Sequence, residues 1–430
     1  MPRVERGSVV RMVATPETAR GPGARIAIVA AACLVIVLSV VLASLAAGGG
    51  SKSAHPRVSS SPSSSPRATT ATTAGKPKPT TTTRVPVTTT TVRYPPSDTT
   101  RLQLARSIGG TISPKSVVAS GTGVVLAQNM MYQHTITAYS STGDLVRTIP
   151  DSVDLASFGI TGHPGISRGA PVEAAFSTNG REVYVSNYSM YGVGFGPEGT
   201  DTCSPSSGYD DSFVYRVNVQ RLVVDQVIKV GPVPKYVATT PDNRFVLVTN
   251  WCGYDMSIID RAAGREVRRI PLGAYPRGIV VSPDSRTAYV AVMGTSNIAA
   301  IDLRTFAVSW MYGVGSGPRH LVLSPDGRWL YATLNGAGLI AKIDLTTRTV
   351  VARVSTGVNP RSMAISADGR ALYVVNYGSD TVSKLRSSDM SLIQTIGTLH
   401  HPIGITYDRK THSVWVACYV GRILVFSDTA

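Results

Sequence analysis

Basic residues follow a proline at regular places along the chain. Lys235, Arg277, Arg319 and Arg361 each follow a proline and are spaced 42 residues apart, and Lys115 also follows a proline. Cations that a repeating fold brings together attract anions, because low-dielectric walls strengthen the field they share. We therefore predict a site for an anionic ligand or partner at these five residues. The alternative is that each cation pairs with an acid or a carbonyl group of its own or a neighbouring repeat.

Aromatic residues follow an asparagine in three of the same repeats. Tyr188, Trp251 and Tyr377 come directly after Asn187, Asn250 and Asn376, at the predicted end of a strand. Exposed aromatic side chains beside cations are common anchors of recognition surfaces. We expect them to extend the cationic site as a loop surface, although turn formation and packing would also explain them.

Histidine and acidic residues offer weaker signals for chemistry. His320 follows Arg319 and is included in the predicted ligand site; His400 and His401 precede the last repeated proline, and Glu173 lies in an earlier repeat. Imidazoles from separate repeats could meet as metal ligands or as acid and base, but no spacing requires it. We predict no catalytic residue, no metal and no cofactor.

Glu173 and the acidic loop residues Glu198, Asp201, Asp210 and Asp211 could bind calcium, but they lack the order of a calcium-binding loop, so we expect a solvated loop. The sequence contains no GxSxG, HExxH, phosphate-binding glycine loop or CxxCH motif. Hydrolase, zinc protease, nucleotide-binding and c-type cytochrome functions therefore have no local support.

The repeated unit predicts the fold. Pro234, Pro276, Pro318, Pro360 and Pro402 each begin an apolar, β-branched run, and a turn such as Asp-Gly separates it from a second run. Turns of this kind join antiparallel strands. Looser copies begin at Pro114 and Pro171, which makes seven units. Four strands in each unit predict an all-β protein, a seven-bladed β-propeller over residues 101–430.

The chain ends and two insertions complete this prediction. The last unit holds only three strand-like runs, so we expect residues 102–112 to supply the fourth strand and close the ring. The two extra stretches, residues 151–169 and 189–210, are rich in Gly, Ser and Pro and are predicted to be loops.

The units resemble those of the YVTN-repeat (YncE-like) propeller family. Tyr373-Val374-Val375-Asn376 and the related segments at Tyr184 and Leu247 carry this resemblance, which covers residues 101–430. The first and seventh units depart from the pattern. The resemblance implies an exported or cell-surface propeller. It says little about chemistry, since such propellers include binding modules, lactonases and cofactor-bearing dehydrogenase subunits.

The first hundred residues predict an anchor and a stalk. Residues 26–47 form an uncharged run that would span about 33 Å as a helix, against a hydrocarbon core of roughly 30 Å. We predict a single transmembrane helix at 26–47 after a short basic cytoplasmic tail at 1–25, the alternative being a cleaved signal peptide. More than half of the residues at 48–100 are Ser, Thr or Pro, which predicts a disordered linker, with or without glycans.

Charge and cysteine content narrow the function further. The net charge is +16, but residues 1–100 carry 12 basic and 3 acidic side chains, which leaves a surplus of seven for the propeller. This argues against a nucleic-acid partner. Cys203 and Cys252 lie in equivalent loops of adjacent units and are predicted to form a disulfide, as expected of an exported protein, the alternative being two reduced thiols in an intracellular protein. Cys418 is expected to be a small buried side chain.

Taken together, the sequence predicts a membrane-tethered module on the extracytoplasmic side of the plasma membrane, or a secreted one if the signal is cleaved. Its predicted partner is a protein, a cell-wall polymer or another anionic molecule, and its oligomeric state is open. The alternative function is a propeller enzyme, lactonase-like or similar to a dehydrogenase subunit, with Glu173 and His320 near the channel mouth.

Overall fold

A computed structural model of the chain describes residues 94–429. Seven β-sheets form this part of the chain, and their innermost strands contact one another in sequence, with the first inner strand against the last. The sheets therefore form a closed ring around a channel, and the predicted all-β, seven-bladed propeller is confirmed.

The blades, numbered one to seven along the chain, have the following strands. Blade one holds β2 Ser116–Ala119, β3 Val124–Asn129, β4 Thr135–Ser140 and β5 Leu145–Pro150. Blade two holds β6 Ser152–Asp154, β7 Ile166–Phe176, β8 Glu182–Tyr191, β9 Ser212–Asn218 and β10 Val223–Val230. Blade three holds β11 Pro234–Thr239, β12 Phe245–Asn250, β13 Asp255–Asp260 and β14 Arg265–Pro271. Blade four holds β15 Pro276–Val281, β16 Thr287–Val292, β17 Asn297–Asp302 and β18 Val308–Met311.

The remaining blades follow the same pattern. Blade five holds β19 Pro318–Leu323, β20 Trp329–Leu334, β21 Leu339–Asp344 and β22 Thr349–Ser355. Blade six holds β23 Pro360–Ile365, β24 Ala371–Asn376, β25 Thr381–Arg386 and β26 Leu392–Gly397. Blade seven holds β27 Pro402–Asp408, β28 Ser413–Cys418, β29 Arg422–Ser427 and the first strand of the propeller, β1 Gln103–Ile108.

The turn between the first two strands of a blade shows why the repeated sequence folds this way. In blade five the Asp326 carboxylate accepts hydrogen bonds from the Ser324 hydroxyl and from the Arg328 backbone N–H. Gly327 then takes a φ of 72°, a conformation that glycine adopts without strain. The strands on either side bury apolar residues between neighbouring blades, so each sheet is stable only within the ring.

The N-terminal strand closes the ring, as predicted. β1 pairs antiparallel with β29, and it covers an edge that blade seven would otherwise expose. A fully buried ion pair lies at the same closure, where Lys384 Nζ is 2.5 Å from Asp428 Oδ1. The Tyr373 hydroxyl and the Thr100 hydroxyl also donate to Asp428.

Part of the predicted linker lies against the propeller. The Ser97 backbone N–H donates to Asp368 at 2.9 Å, and the Arg370 guanidinium donates to Asp98 at 2.8 Å. Asp368 lies in the turn that follows the inner strand β23. The described chain therefore begins at the face of the ring opposite the starts of the inner strands.

The two insertions are more ordered than the sequence predicts. The first contributes β6, a 3-10 turn at Leu155–Phe158 and a longer β7, so blade two has five strands. The second begins after β8, which extends to Tyr191, and contains a 3-10 turn at Pro205–Ser207. Both were expected to be loops. Non-repeated segments can add strands to an existing edge, which periodicity alone does not show.

Among residues 94–429, no helix is long and apolar enough to cross a membrane. The predicted span at 26–47, the cytoplasmic tail and most of the linker lie outside the described residues.

Candidate functional site

The inner strands place the five predicted cations around one end of the channel. Each cation lies at or just before the start of its inner strand, directly after the repeated proline. Because the inner strands run in the same direction around the ring, these starts lie on one face. We call the ring formed by Lys115, Lys235, Arg277, Arg319 and Arg361 the cationic mouth.

The side chains of the cationic mouth are largely buried and contact one another's blades. Arg277 donates to the backbone oxygen of Lys235 at 3.1 Å, and Lys115 Nζ donates to the Tyr419 hydroxyl at 3.1 Å. Arg361 lies over the Tyr377 ring, 4.4 Å from its centroid, and its buried Nε has no hydrogen-bond partner among the described residues. Neutral groups of the protein thus position the Arg277, Lys115 and Arg361 side chains.

Few acids balance this charge. Within the described part of the chain, Lys235 is 2.5 Å from Asp201, and Arg277 is 4.0 Å from Glu173. No carboxylate among these residues lies within 4.0 Å of Lys115, Arg319 or Arg361. The alternative, in which each cation pairs with an acid or a carbonyl group of its own or a neighbouring repeat, fits Lys235 and Arg277. Lys115, Arg319 and Arg361 have no such partner among the described residues.

The pKa values of these cations reflect their burial and their repulsion of one another. Burial lowers the pKa of Lys115 well below its usual value, and repulsion from Arg361 and Lys235 lowers it further. Burial and the neighbouring Arg361 likewise lower the pKa of Arg319. Burial lowers the pKa of Lys235 to about 7, although Asp201 opposes the shift. An anion bound among these groups would stabilise their charged forms.

A carboxylate from the second insertion lies over the cationic mouth. Burial opposes ionisation of Asp201, but Lys235 lowers its pKa to about 2. The loop is fixed by the predicted disulfide between Cys203 and Cys252, which the structure confirms. The Trp251 indole N–H also donates to the Asp201 backbone oxygen at 3.1 Å.

A second ring of side chains lies one residue deeper along the inner strands. Glu173, Tyr236 and His320 line a channel cavity of about 370 Å³, together with Ser362. His320 Nε2 is 3.0 Å from the Tyr236 hydroxyl, and its Nδ1 accepts the Met363 backbone N–H at 3.3 Å. The accepting Nδ1 leaves the proton of a neutral imidazole on Nε2, which therefore donates to Tyr236.

Burial and nearby charges shift the pKa values of Glu173 and His320 in opposite directions. Burial raises the pKa of Glu173 to about 7, against attraction from Arg277 and Lys115. Burial, with repulsion from Arg277 and Arg319, lowers the pKa of His320 to about 3. Near neutral pH, Glu173 can both bind and release a proton, whereas His320 remains neutral.

The aromatic residues lie beside the cations but form no exposed surface. Tyr188 is inside β8, not in a loop, and is 5% exposed; Trp251 is 7% exposed. Lys235 Nζ lies 4.2 Å from the Tyr188 ring centroid and 5.0 Å from that of Trp251. These rings therefore support Lys235 by cation–π contact. Tyr377, which is half-buried, supports Arg361 in the same way.

The remaining candidates are spread around the ring. His400 and His401 lie in the connection from blade six to blade seven, next to Asp380 and outside the channel. Glu198 is exposed in the second insertion, and Cys418 is buried as expected.

The other acidic residues of the second insertion have partners within the protein. Asp210 accepts the Gly196 backbone N–H, and Asp211 pairs with Lys229 and Arg269. These contacts stabilise the insertion and its edge of blade two.

Two parts of this arrangement are not among the residues predicted from sequence. Tyr236 occupies the position of Glu173 and His320 in its own repeat, two residues after the start of the repeat at Pro234, so the periodicity itself marks it. The position of Asp201 over the mouth had no such signal, because its insertion occurs in one blade only.

Comparisons with known proteins agree with a propeller. A family model described as Cytochrome D1 heme domain matches residues 307–415, which run from blade four to blade seven. No curated protein matches the chain. Among solved structures, the chain is similar to hydrazine synthase of Kuenenia stuttgartiensis, with a TM-score of 0.58 and 18% sequence identity. The match covers 74% of this chain and 96% of that chain. At this identity, the likeness shows the fold alone.

Proposed function

We propose that the propeller binds a small anionic molecule in the cationic mouth of its channel. The observation that carries this proposal is the set of three cations, Lys115, Arg319 and Arg361, that have no carboxylate within ion-pair distance among the described residues. Burying cations without counter-charges is costly, and a bound anion would offset that cost. The Asp201 carboxylate already pairs with one cation, Lys235. A ligand would bind beside this carboxylate or displace it from Lys235.

Burial favours a small ligand over a large partner. Lys115 is 9% exposed, Arg319 8%, and Lys235 and Arg277 6% each, so a flat protein or polymer surface could not contact their charged groups. A carboxylate, phosphate or sulfate group that enters the channel could contact these charged groups. The matching family model is described as a haem domain, which favours a small-molecule ligand over the protein or cell-wall partner predicted from sequence.

Sulfate is a suitable probe, because its charge does not change over the pH range in which the site titrates. We expect calorimetry to detect sulfate binding that is weakened roughly ten- to hundredfold by Arg319→Met, the loss of one charged hydrogen bond. Arg286→Met is the matched control, since the Arg286 side chain is 83% exposed in a turn at the opposite end of the inner strands. Equal sulfate affinity in wild type and Arg319→Met would refute the proposal.

A second function is favoured by Glu173. A buried carboxylate with a pKa of about 7, beside cations and a cavity, has the properties of a general base. In a hydrolase, Glu173 would take a proton from water as the water attacks an ester or lactone carbonyl, and the nearby Arg277 would stabilise the oxyanion. As the oxyanion collapses, the acyl C–O bond would break, and the protonated Glu173 would return its proton to the leaving alkoxide oxygen. The same channel would then bind the anionic product.

This enzymatic proposal has its own test. A screen of lactone and ester substrates should find turnover that Glu173→Gln abolishes, while sulfate binding is retained. Turnover that is unchanged in Glu173→Gln, or absent for every substrate, would remove the enzymatic proposal and leave the binding proposal standing.

His320 is not free to ligate a haem iron. The axial ligand of a haem iron is commonly His, Met or Tyr. Among the described residues that line the cavity, these are His320, Met363, Tyr236 and Tyr407. Both ring nitrogens of His320 are engaged, Nδ1 with the Met363 N–H and Nε2 with the Tyr236 hydroxyl. Coordination of iron by His320 would break one of these hydrogen bonds, and the proposed functions require no haem.

We also propose that the protein works outside the cytoplasm as a YVTN-type propeller on a membrane tether. The Cys203–Cys252 disulfide supports an oxidising compartment. The described chain begins on the face opposite the cationic mouth, so a tether leaving there would keep the mouth open to solution. Protease protection of the propeller in sealed cells would contradict this location.

A further inference from the structure

Two histidines and an aspartate meet on the face that carries the cationic mouth, at the junction of blades six and seven. Asp380 lies in the turn between β24 and β25, and His400 and His401 lie in the connection from β26 to β27. One oxygen or nitrogen atom from each residue lies within 4.8 Å of the others. Neither proposed function uses this cluster.

The distances suit a tetrahedral ion. His400 Nδ1 is 2.9 Å from Asp380 Oδ2, and His401 Nδ1 is 3.8 Å from Asp380 Oδ1. Zinc binds nitrogen and oxygen at about 2.0–2.2 Å, so neighbouring ligand atoms on a tetrahedral ion are roughly 3.3 Å apart. The two observed distances, each to a different oxygen of Asp380, lie on either side of this value, and all three ligand atoms lie within 4.8 Å of one another. We propose that Asp380, His400 and His401 form a Zn²⁺ site.

The surroundings hold the ligands in place. The His401 backbone N–H donates to Asp380 Oδ1 at 2.7 Å, and the Thr398 backbone N–H donates to the Asp380 backbone oxygen at 2.8 Å. The His401 ring stacks on Tyr377 with centroids 4.1 Å apart. Such supporting contacts orient metal ligands and raise affinity. The metal would replace the present contact of His401 Nδ1 with the Tyr377 backbone oxygen, 3.1 Å away.

The site is open and lies near the cationic mouth. The His400 side chain is 61% exposed, so a fourth ligand can reach the ion from solvent. A zinc ion with three protein ligands keeps such an open position for water or for an anion. Tyr377 lies between His401 and Arg361, so the ion would be one aromatic ring away from the cations. Binding would replace the hydrogen bond between His400 Nδ1 and Asp380 Oδ2, and the neutral His400 ring would carry its proton on Nε2.

The repeat supplies a matched variant. His400 and His401 correspond to Val358 and Asn359 one repeat earlier, and His401 and Asn359 share a positive φ of 55° and 53°. The double variant His400→Val/His401→Asn therefore imports a loop that already fits this backbone. Asp380 has a φ of 54°. Asp380→Asn removes the third ligand and keeps a residue type that tolerates this conformation.

The test is Zn²⁺ titration of the full chain by calorimetry, with Co²⁺ absorption as a report on geometry. We expect one Zn²⁺ per chain, a visible Co²⁺ spectrum typical of tetrahedral coordination, and affinity weakened at least about a hundredfold in both variants. His163→Ala, a change at a histidine stacked on Phe195 in blade two, should bind as wild type does. No stoichiometric binding by wild type, or equal binding by folded variants, would overturn the proposal. Thermal melting of the metal-free variants establishes that they are folded.

Discussion

Replacing Glu173 with glutamine should change how stability depends on pH. Burial raises the pKa of Glu173 from 4.5 to about 7, although Arg277 and Lys115 attract its charged form. The folded protein therefore holds this proton more tightly than the unfolded chain does. Its contribution is fully present below pH 4.5 and is lost as the pH rises through about 7.

The size of the effect follows from that pKa. A rise from 4.5 to about 7 corresponds to about 3 kcal/mol of unfolding free energy. Glutamine cannot ionise, so Glu173→Gln escapes this loss. Relative to wild type, the variant should gain about 3 kcal/mol of stability as the pH rises from 4.5 to about 8.

Urea denaturation at several pH values measures this difference. The buffers must contain no multivalent anions, since these would bind the cationic mouth. Glu198→Gln, a change at an exposed acid of the second insertion, controls for the altered net charge. A difference between wild type and Glu173→Gln that stays constant with pH would show that Glu173 ionises as easily in the folded protein as in the unfolded chain, contrary to its buried position beside the cavity.

Three further predictions concern the same structure. Asp201→Asn removes the carboxylate over the mouth, whose side chain is 79% exposed, so it should strengthen sulfate binding by only roughly two- to fivefold because solvent screens an exposed charge; calorimetry showing weaker binding would contradict the placement of Asp201. Changing both Cys203 and Cys252 to serine opens a link across a sequence separation of 49 and should lower the unfolding free energy by roughly 4 kcal/mol. Unchanged urea midpoints would refute that effect. Lys384→Met leaves Asp428 buried without its cation and should cost about 3–5 kcal/mol in urea denaturation, whereas a loss below about 1 kcal/mol would show that the pair does not hold the ring closed.

The fold could be predicted from sequence because it is repeated. A proline, two apolar runs and a turn recur every 42 residues, and each recurrence reports the same local geometry. The need to cover an open edge then identified β1 as the closing strand. The pairing of Cys203 with Cys252 followed from their equivalent loops in adjacent repeats.

The site was only partly predictable, for two physical reasons. Repeats show which side chains converge but not how deeply they are buried, so Tyr188 and Trp251 were expected at the surface and instead pack against Lys235. Insertions occur once and carry no periodic signal, so neither β6 nor the position of Asp201 could be read from spacing. Contacts between blades, such as that of Asp380 with His400, form only when the ring closes, so the sequence of a single repeat does not show them.

Anomalous diffraction from crystals soaked in bromide would test the central claim most directly. Bromide is a small anion whose position can be assigned without assuming the natural ligand. We predict a bromide ion in the cationic mouth, within contact distance of Arg319 or Arg361 and absent in crystals of Arg319→Met. Bromide found only on the outer surface, with the mouth occupied by protein groups alone, would contradict anion binding by the channel.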